Sequence, residues 1–194
     1  MADGPFGPET GELIPRDPSV EDLVSLSREL HAQGAKFIVF GGFSIRAAGY
    51  GRHTTDIDIL IDADLENEAR VYEALATLPD GCVRELEAGE VEKYTVVRVA
   101  DEILVDLMAK ASGIDYAEAS QSLVIHEIDS VPIPFASPEL LWRMKCRAGR
   151  EKDRGDIEFL RQYFAAKGIQ KPTLGEGNSA LKYLLRHAYL NACG

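Results

Sequence analysis

Three acidic residues have the spacing of a divalent-cation site. Asp56 and Asp58 are separated by one residue in DIDILID, and Asp106 interrupts the apolar run ILVDLM. Alternate residues of a strand point to one face, so Asp56 and Asp58 are predicted to project together. Carboxylates this close repel each other unless a cation lies between them, and oxygen-only ligands favour Mg²⁺ or Mn²⁺. Each acid alone also fits the wet face of a strand, but together the three favour two cations that assist displacement at phosphorus.

A glycine pair precedes these acids. Gly41 and Gly42 lie between the apolar run KFIVF and a short predicted helix over 43–49. Glycine lets the backbone turn sharply and approach a ligand closely, and the free N–H groups at a helix start suit a phosphate. Ser44 would add a hydroxyl group at the same place. The pair alone is equally consistent with an ordinary turn.

Basic residues are concentrated in one segment of an acidic protein. The net charge of −11 argues against broad, nonspecific nucleic-acid binding, which needs an excess of Lys and Arg. Between residues 137 and 154, however, the chain carries Arg143, Lys145, Arg147, Arg150, Lys152 and Arg154. This segment could face an anionic ligand, or it could be a solvated helix face. Arg52, four residues before Asp56, is a further candidate for contact with a triphosphate.

These residues together resemble the polymerase-β-like nucleotidyltransferase superfamily. The resemblance rests on Gly41-Gly42, a gap of 13 residues, the pair Asp56-Ile-Asp58, and Asp106 on a later strand. The run Arg-His-Thr-Thr before Asp56 is similar to the AbiEii-type group of small bacterial nucleotidyltransferases, several of which are toxins of toxin–antitoxin pairs. In many members a serine directly follows the first glycine, whereas here Ser44 stands two positions further on.

The resemblance implies a reaction and a set of site residues. The reaction is transfer of a nucleoside monophosphate from an NTP to an acceptor (RNA such as tRNA, a protein or a small molecule), with release of pyrophosphate. Asp56, Asp58 and Asp106 would be catalytic and would hold Mg²⁺ or Mn²⁺. The implied nucleotide-binding residues are Gly41, Gly42, Ser44, Arg52, Thr55, Lys145 and Lys152. Asp153 or Asp156 would orient a lysine or the acceptor. If the protein is a toxin of this group, the resemblance also implies an antitoxin partner.

Two other classes of function fit the same residues. One is a catalytically inert module that binds a nucleotide or a partner, although an inert relative would be free to lose one of the acids. The other is a different metal-dependent phosphotransferase or hydrolase that uses the same carboxylates. The position of the label in the product, from an α-labelled or a γ-labelled NTP, would separate the latter from nucleotidyl transfer.

The predicted elements place the candidate site in an α/β (α+β) fold. We expect a disordered arm over 1–17, a nucleotidyltransferase-like domain over 18–136 with a mixed sheet flanked by helices, and a helical region over 137–194. The predicted helices cover about 20–33, 43–49, 64–78 and 114–120, followed by one after Ser137, one over about 152–167 and one over about 178–191. Ser19 and Ser137 are the expected N-caps of the helices that they precede. The predicted strands are 36–40, 56–62, 91–99, 102–109, SLVIHEI and VPIPFA. We expect a hairpin turn at Ala100-Asp101, and expect Pro132 and Pro134 to confine the last strand to an edge or loop.

The composition indicates a cytoplasmic protein. Cys82, Cys146 and Cys193 are far apart, so neither a disulfide framework nor a zinc site is expected. No apolar run approaches the roughly 20 residues needed to span a bilayer, so we expect no membrane association. The N-terminus lacks the basic start and apolar core of a secretory signal.

Overall fold

The computed structural model describes residues 14–173, and a six-stranded mixed sheet forms its centre. The strand order is β3-β4-β2-β1-β8-β7. These strands are β1 (Phe37–Phe40), β2 (Ile57–Ile61), β3 (Val97–Ala100), β4 (Leu104–Met108), β7 (Leu123–Ile128) and β8 (Val131–Ala136), and β5 (Lys110–Ala111) and β6 (Ile114–Asp115) form a small separate hairpin. The α-helices are α1 (Val20–Ala32), α2 (Gly41–Ala47), α3 (Leu65–Leu75), α4 (Glu90–Lys93), α5 (Tyr116–Ala119), α6 (Pro138–Ala148) and α7 (Arg154–Lys167). The predicted fold class is confirmed.

Each face of the sheet is covered by its own apolar layer. On one face, alternate strand residues such as Ile57 and Ile59 pack with α1 and α3. On the other face, residues such as Ile38 and Leu60 pack with α6 and α7. Full burial of one such side chain contributes about 1.5–3 kcal/mol. Asp58 lies on the same face as Leu60, because alternate residues of a strand point the same way, and this acid therefore belongs to the α6–α7 side.

The register of three neighbouring strands places polar side chains in one row. β2 and β4 are parallel, with Asp58 opposite Asp106. β3 and β4 are antiparallel, with Arg98 opposite Asp106. Residues directly opposite each other on paired strands project to the same face of the sheet. Arg98, Asp106 and Asp58 therefore stand side by side across β3, β4 and β2.

Side-chain caps fix the starts of two helices, as the sequence predicts. At α1 the Ser19 hydroxyl accepts the Asp22 backbone N–H at 3.2 Å, and the Asp22 carboxylate accepts the Ser19 N–H at 2.7 Å. At α6 the Ser137 hydroxyl accepts the Leu140 N–H at 3.2 Å, and Pro138 occupies the first helical position. A cap of this kind is worth about 1 kcal/mol.

The prediction that Pro132 and Pro134 confine the last strand to an edge or loop is wrong, because β8 lies inside the sheet between β1 and β7. The Ser137 N–H donates to the Ser122 carbonyl at 3.2 Å, so these two residues form a hydrogen-bonded pair. Hydrogen-bonded and non-hydrogen-bonded pairs alternate along antiparallel strands. In the observed register, Pro132 and Pro134 therefore fall in the non-hydrogen-bonded pairs with β7. The missing N–H groups therefore cost this strand pair nothing.

The predicted strand 91–99 is half wrong, because its first part forms the helical turn α4 and only its end belongs to β3. The buried Glu68 carboxylate accepts the backbone N–H groups of Gly89 and Val91 and so stabilises the start of this turn. The small β5–β6 hairpin is not foreseen by the sequence pattern. The predicted helix over 178–191 lies outside the described residues.

The described end of the predicted arm contacts the body of the protein. Arg16 forms a β-bridge with Ile103 and pairs its guanidinium with Asp22 and Glu102. Residues 1–13 lie outside the described part of the chain, and the domain boundary near residue 136 stays a prediction. Within residues 14–173, no helix has the length and apolar character needed to cross a membrane.

Candidate active site

Three carboxylates converge on the face of the sheet that α6 and α7 partly cover. Asp56, Asp58 and Asp106 each offer one oxygen, and these oxygens all lie within 4.8 Å of one another. Asp106 is buried, while Asp56 and Asp58 are partly exposed to the cleft. A cluster of carboxylate oxygens at this spacing fits a hard divalent cation such as Mg²⁺ or Mn²⁺. The structure thus brings together the three acids that the sequence singles out.

The two glycines make room for the acidic cluster. Gly41 has a φ of +61°, and a Cβ atom built on it would lie 1.8 Å from Oδ2 of Asp58. A Cβ atom on Gly42 would lie 2.1 Å from Oγ1 of Thr54. The Gly42 backbone N–H, at the start of α2, interacts favourably with the Asp58 carboxylate. On the sequence, the same N–H was expected to suit a phosphate.

Burial and its acidic neighbours strongly perturb the carboxyl group of Asp58. Burial raises the pKa of Asp58 from 3.8 to about 7, and the charges of Asp56 and Asp106 act in the same direction. The ammonium group of Lys145 and the Gly42 N–H oppose this rise. A divalent cation would favour the ionised form of Asp58, which burial and the two neighbouring carboxylates oppose.

Arg98, on β3, completes the row of polar side chains. Its Nε and Nη2 atoms donate to Oδ1 and Oδ2 of Asp106, both at 2.7 Å, and Nη2 lies 3.8 Å from Oδ2 of Asp56. Arg98 was not among the site residues expected from the sequence. A charged residue within the apolar strand VRVA is a signal, but its meaning depends on the register that places Arg98 opposite Asp106.

A buried ionic network forms the opposite wall of the site. Nζ of Lys145 lies 2.7 Å from Oδ1 of Asp153 and 2.8 Å from Oδ2 of Asp156. Arg150 pairs with Asp153 at 2.9 Å and Arg52 pairs with Asp156 at 3.0 Å. All three acidic or basic groups at the centre are buried, so each depends on its partners. Burial raises the pKa of the Asp153 carboxyl, but hydrogen bonds from Lys145 and Arg150 outweigh it and hold that pKa below its ordinary value.

A cleft of about 840 Å³ is lined both by the acids and by members of this network. A volume of this size accommodates a ligand of several hundred daltons. The site residues named from the sequence that line it are Gly41, Arg52, Thr55, Asp56, Asp58, Asp106, Lys145 and Lys152. Arg98, Arg150 and Asp153 also line it. The basic segment thus divides between exposed cations at the cleft, such as Lys152, and the buried Lys145.

Ser44 does not line the cleft. Its side chain is buried, and its hydroxyl donates to the Val39 carbonyl at 2.7 Å. Ser44 lies a full turn into α2, where it faces the end of β1 rather than the ligand side. The structure therefore does not support the predicted phosphate contact of Ser44. Thr54 is the hydroxyl residue beside the acids, with its Oγ1 atom 3.4 Å from Oδ1 of Asp56.

Comparisons with known proteins agree with this arrangement. The model of a family described as "Nucleotidyl transferase of unknown function (DUF2204)" matches residues 19–173. An antigenic nucleotidyltransferase-like protein from Paracoccidioides brasiliensis is similar in structure, with a TM-score of 0.58 and 16% identity over 91% of this chain and 90% of that chain. The antibiotic-resistance factor ANT(2'')-Ia gives a TM-score of 0.45 and 16% identity over 89% of this chain and 96% of that chain. At these identities the likeness shows the fold alone. No curated protein sequence matches the chain.

Proposed function

Since the chain belongs to this nucleotidyl transferase family, we propose that it transfers a nucleoside monophosphate from an NTP to an acceptor in a reaction that requires a divalent cation. The observation that carries the proposal is the convergence of three carboxylates within 4.8 Å in a cleft that Arg52, Lys145 and Arg150 also line. In this reaction an acceptor oxygen forms a bond to the α-phosphorus while the bond from that phosphorus to the bridging oxygen breaks. Pyrophosphate leaves, and the acceptor hydroxyl loses its proton to solvent.

The acidic side of the cleft would hold the cations. Asp56, Asp58 and Asp106 would supply the ligand oxygens, and the cations would lower the pKa of the acceptor hydroxyl and neutralise charge on the phosphates. Gly41 keeps the Asp58 carboxylate at the cleft because no side chain stands in its way. The Gly42 N–H interacts favourably with the same carboxylate. Thr54 supports Asp56 by its hydroxyl contact.

The basic side of the cleft would hold the triphosphate. Arg52 and Arg150 each use one nitrogen to pair with a buried aspartate, which leaves other N–H groups of each guanidinium for a phosphate. Lys145 is held between two carboxylates at the same wall. Lys152 is exposed at the cleft, where its ammonium group would contact the phosphates. These contacts would position the leaving pyrophosphate and stabilise its charge.

The acceptor and the biological role belong to the proposal as well. The AbiEii-type resemblance favours an RNA acceptor such as tRNA and a toxin paired with an antitoxin. ANT(2'')-Ia has been crystallised with adenylyl-2''-tobramycin, which is a modified small molecule. The acceptor is therefore best identified by fractionation: label from an α-labelled NTP that a ribonuclease releases would mark RNA, and label that a protease releases would mark protein.

The experiment that tests the reaction compares two labels. The protein is incubated with Mg²⁺, a cell extract, and NTP labelled at the α- or the γ-phosphate. We expect the α-label on the acceptor and the γ-label in pyrophosphate. Asp56→Ala should abolish the transfer, whereas Glu73→Ala, which removes an exposed acid on α3, should leave it unchanged. Transfer of the γ-label to the acceptor would refute nucleotidyl transfer. Equal binding of NTP with and without Mg²⁺ would favour an inert binding module.

A further inference from the structure

The guanidinium group of Arg98 lies beside the carboxylates that would bind a divalent cation. Its guanidinium binds both oxygens of Asp106 at 2.7 Å, in the paired geometry that holds a carboxylate most firmly. Its Nη2 atom also lies 3.8 Å from Oδ2 of Asp56. The Asp106 side chain is 7% exposed, whereas that of Arg98 is 53% exposed. The fork therefore approaches a largely buried acid from the open side.

The pairing has two opposite effects on a cation at the three acids. It fixes the orientation of Asp106, because a planar guanidinium with two parallel hydrogen bonds permits little rotation of the carboxylate. It also places a permanent positive charge within a few ångströms of the oxygens that would bind the cation. A guanidinium does not lose its proton in a protein, so this charge is present at every working pH.

Positive charges reach the cluster from two sides. Arg98 faces Asp106 and Asp56 from β3, and Lys145 faces Asp58 from α6. Lys145 is already neutralised by Asp153 and Asp156, whereas Arg98 pairs with two of the candidate cation ligands themselves. Arg98 is thus the charge that competes most directly with a divalent cation.

We propose that Arg98 is a positioning residue that holds Asp106 in place as the third cation ligand and, by its charge, weakens cation binding at the three acids. The inference rests on the proposed function, since it concerns the affinity of the same cluster. Removal of the charge should tighten cation binding, and removal of the fork should release Asp106. A residue with a merely structural role would not tighten cation binding when it is lost.

The test is a titration of the protein with Mn²⁺ at one fixed pH, in which the electron paramagnetic resonance signal of free Mn²⁺ is followed. Arg98→Gln removes the charge, and Arg98→Lys keeps the charge but loses the fork. Coulomb's law for a divalent and a monovalent cation a few ångströms apart predicts about tenfold tighter Mn²⁺ binding in Arg98→Gln. Arg98→Lys should bind Mn²⁺ within about threefold of the unmodified protein, because the charge remains.

Thermal unfolding in EDTA separates this effect from a general change in the fold. We expect Arg98→Gln to unfold at a lower temperature in EDTA, because the three acids lose their neighbouring positive charge, although it binds Mn²⁺ more tightly. The matched control is Arg70→Gln, which removes an arginine paired with Glu66 on α3, away from the cleft, and should change neither measurement.

Each outcome has a definite meaning. Tighter Mn²⁺ binding in Arg98→Gln but not in Arg98→Lys supports the proposal. Equal or weaker Mn²⁺ binding in Arg98→Gln overturns it, while Mn²⁺ binding to the unmodified protein would leave the proposed function intact. A complete lack of Mn²⁺ binding by the unmodified protein would overturn the proposed cation dependence and this inference together.

Discussion

Replacement of Asp58 by asparagine is expected to stabilise the cation-free protein at pH 8 and to abolish its transfer activity. Burial and the neighbouring acids Asp56 and Asp106 raise the pKa of Asp58 to about 7. An ionised carboxylate at this position is therefore unfavourable in the folded protein. Asparagine has nearly the same shape and carries no charge, and its side-chain oxygen can still accept the Gly42 N–H.

The size of the effect follows from the shift. An acid whose pKa is raised on folding favours the folded state below its unfolded pKa, and this contribution is lost as the pH rises through the folded pKa. For Asp58 the window runs from about pH 4 to about pH 7. The rise of the Asp58 pKa from 3.8 to about 7 corresponds to about 4 kcal/mol at pH 8. For a domain of this length that amounts to roughly 8–16 °C in melting temperature.

The assay is thermal unfolding of both proteins in EDTA between pH 5 and pH 8. The advantage of Asp58→Asn should grow with pH across this range, and contributions from groups distant from the acidic cluster cancel in the difference between the two proteins. Mg²⁺ at pH 8 should stabilise only the unmodified protein and so reduce the difference in melting temperature between the two proteins. An advantage that does not change with pH, or a variant less stable at pH 8, would refute the electrostatic reasoning.

Asp101 provides a control with the opposite sign. Burial alone would raise the pKa of Asp101, but backbone N–H groups of Asp80, Cys82 and Glu102 donate to its carboxylate and hold that pKa below its ordinary value. Its stabilising contribution is therefore present above the unfolded pKa and is lost as the pH falls. Asp101→Asn should destabilise the protein at pH 8, and the loss should become smaller towards pH 3.

Two further substitutions test the walls of the cleft. Gly41→Ala should lower turnover by about a hundredfold, because the new Cβ atom would lie 1.8 Å from Oδ2 of Asp58 and must displace that carboxylate; steady-state kinetics and the melting temperature would measure this. Lys145→Ala should weaken NTP binding in calorimetry, and it should also destabilise the protein by about 3–5 kcal/mol because it leaves Asp153 and Asp156 buried without their shared cation.

Matched controls exist for both substitutions. Gly51→Ala also replaces a glycine near the cleft, but a Cβ atom there meets no atom within 4 Å, so turnover should be unchanged. Lys152→Ala removes an exposed lysine of the same cleft and should change stability by less than about 0.5 kcal/mol. Normal turnover in Gly41→Ala, or an unchanged melting temperature in Lys145→Ala, would contradict the roles assigned to those residues.

Short-range patterns in the sequence were enough to identify part of the site. A glycine pair after a strand and two acids separated by one residue can be recognised locally, so Gly41, Asp56 and Asp58 could be named without coordinates. The Ser19 and Ser137 caps are equally local and formed as predicted. The fold class followed from the succession of apolar patterns, because each pattern reports which side of an element is buried.

Features that depend on register or on distant partners were decided by the tertiary structure. A two-residue turn at Ala100-Asp101 would have paired Asp106 with Thr95, whereas the observed register pairs Asp106 with Arg98. The role of Arg98 was therefore hidden in the sequence, because a small shift along one strand changes every cross-strand neighbour.

The orientation of single side chains was likewise beyond the sequence. Ser44 has the chemistry to contact a phosphate, but the rotation of α2 directs its hydroxyl to the Val39 carbonyl. Lys145 belonged to a basic segment expected to face either an anionic ligand or solvent, but packing of α6 against α7 buries it between Asp153 and Asp156. The sequence identified residues capable of the chemistry, and only the packing of distant elements determined which of them meet, because burial and charge pairing depend on neighbours far apart along the chain.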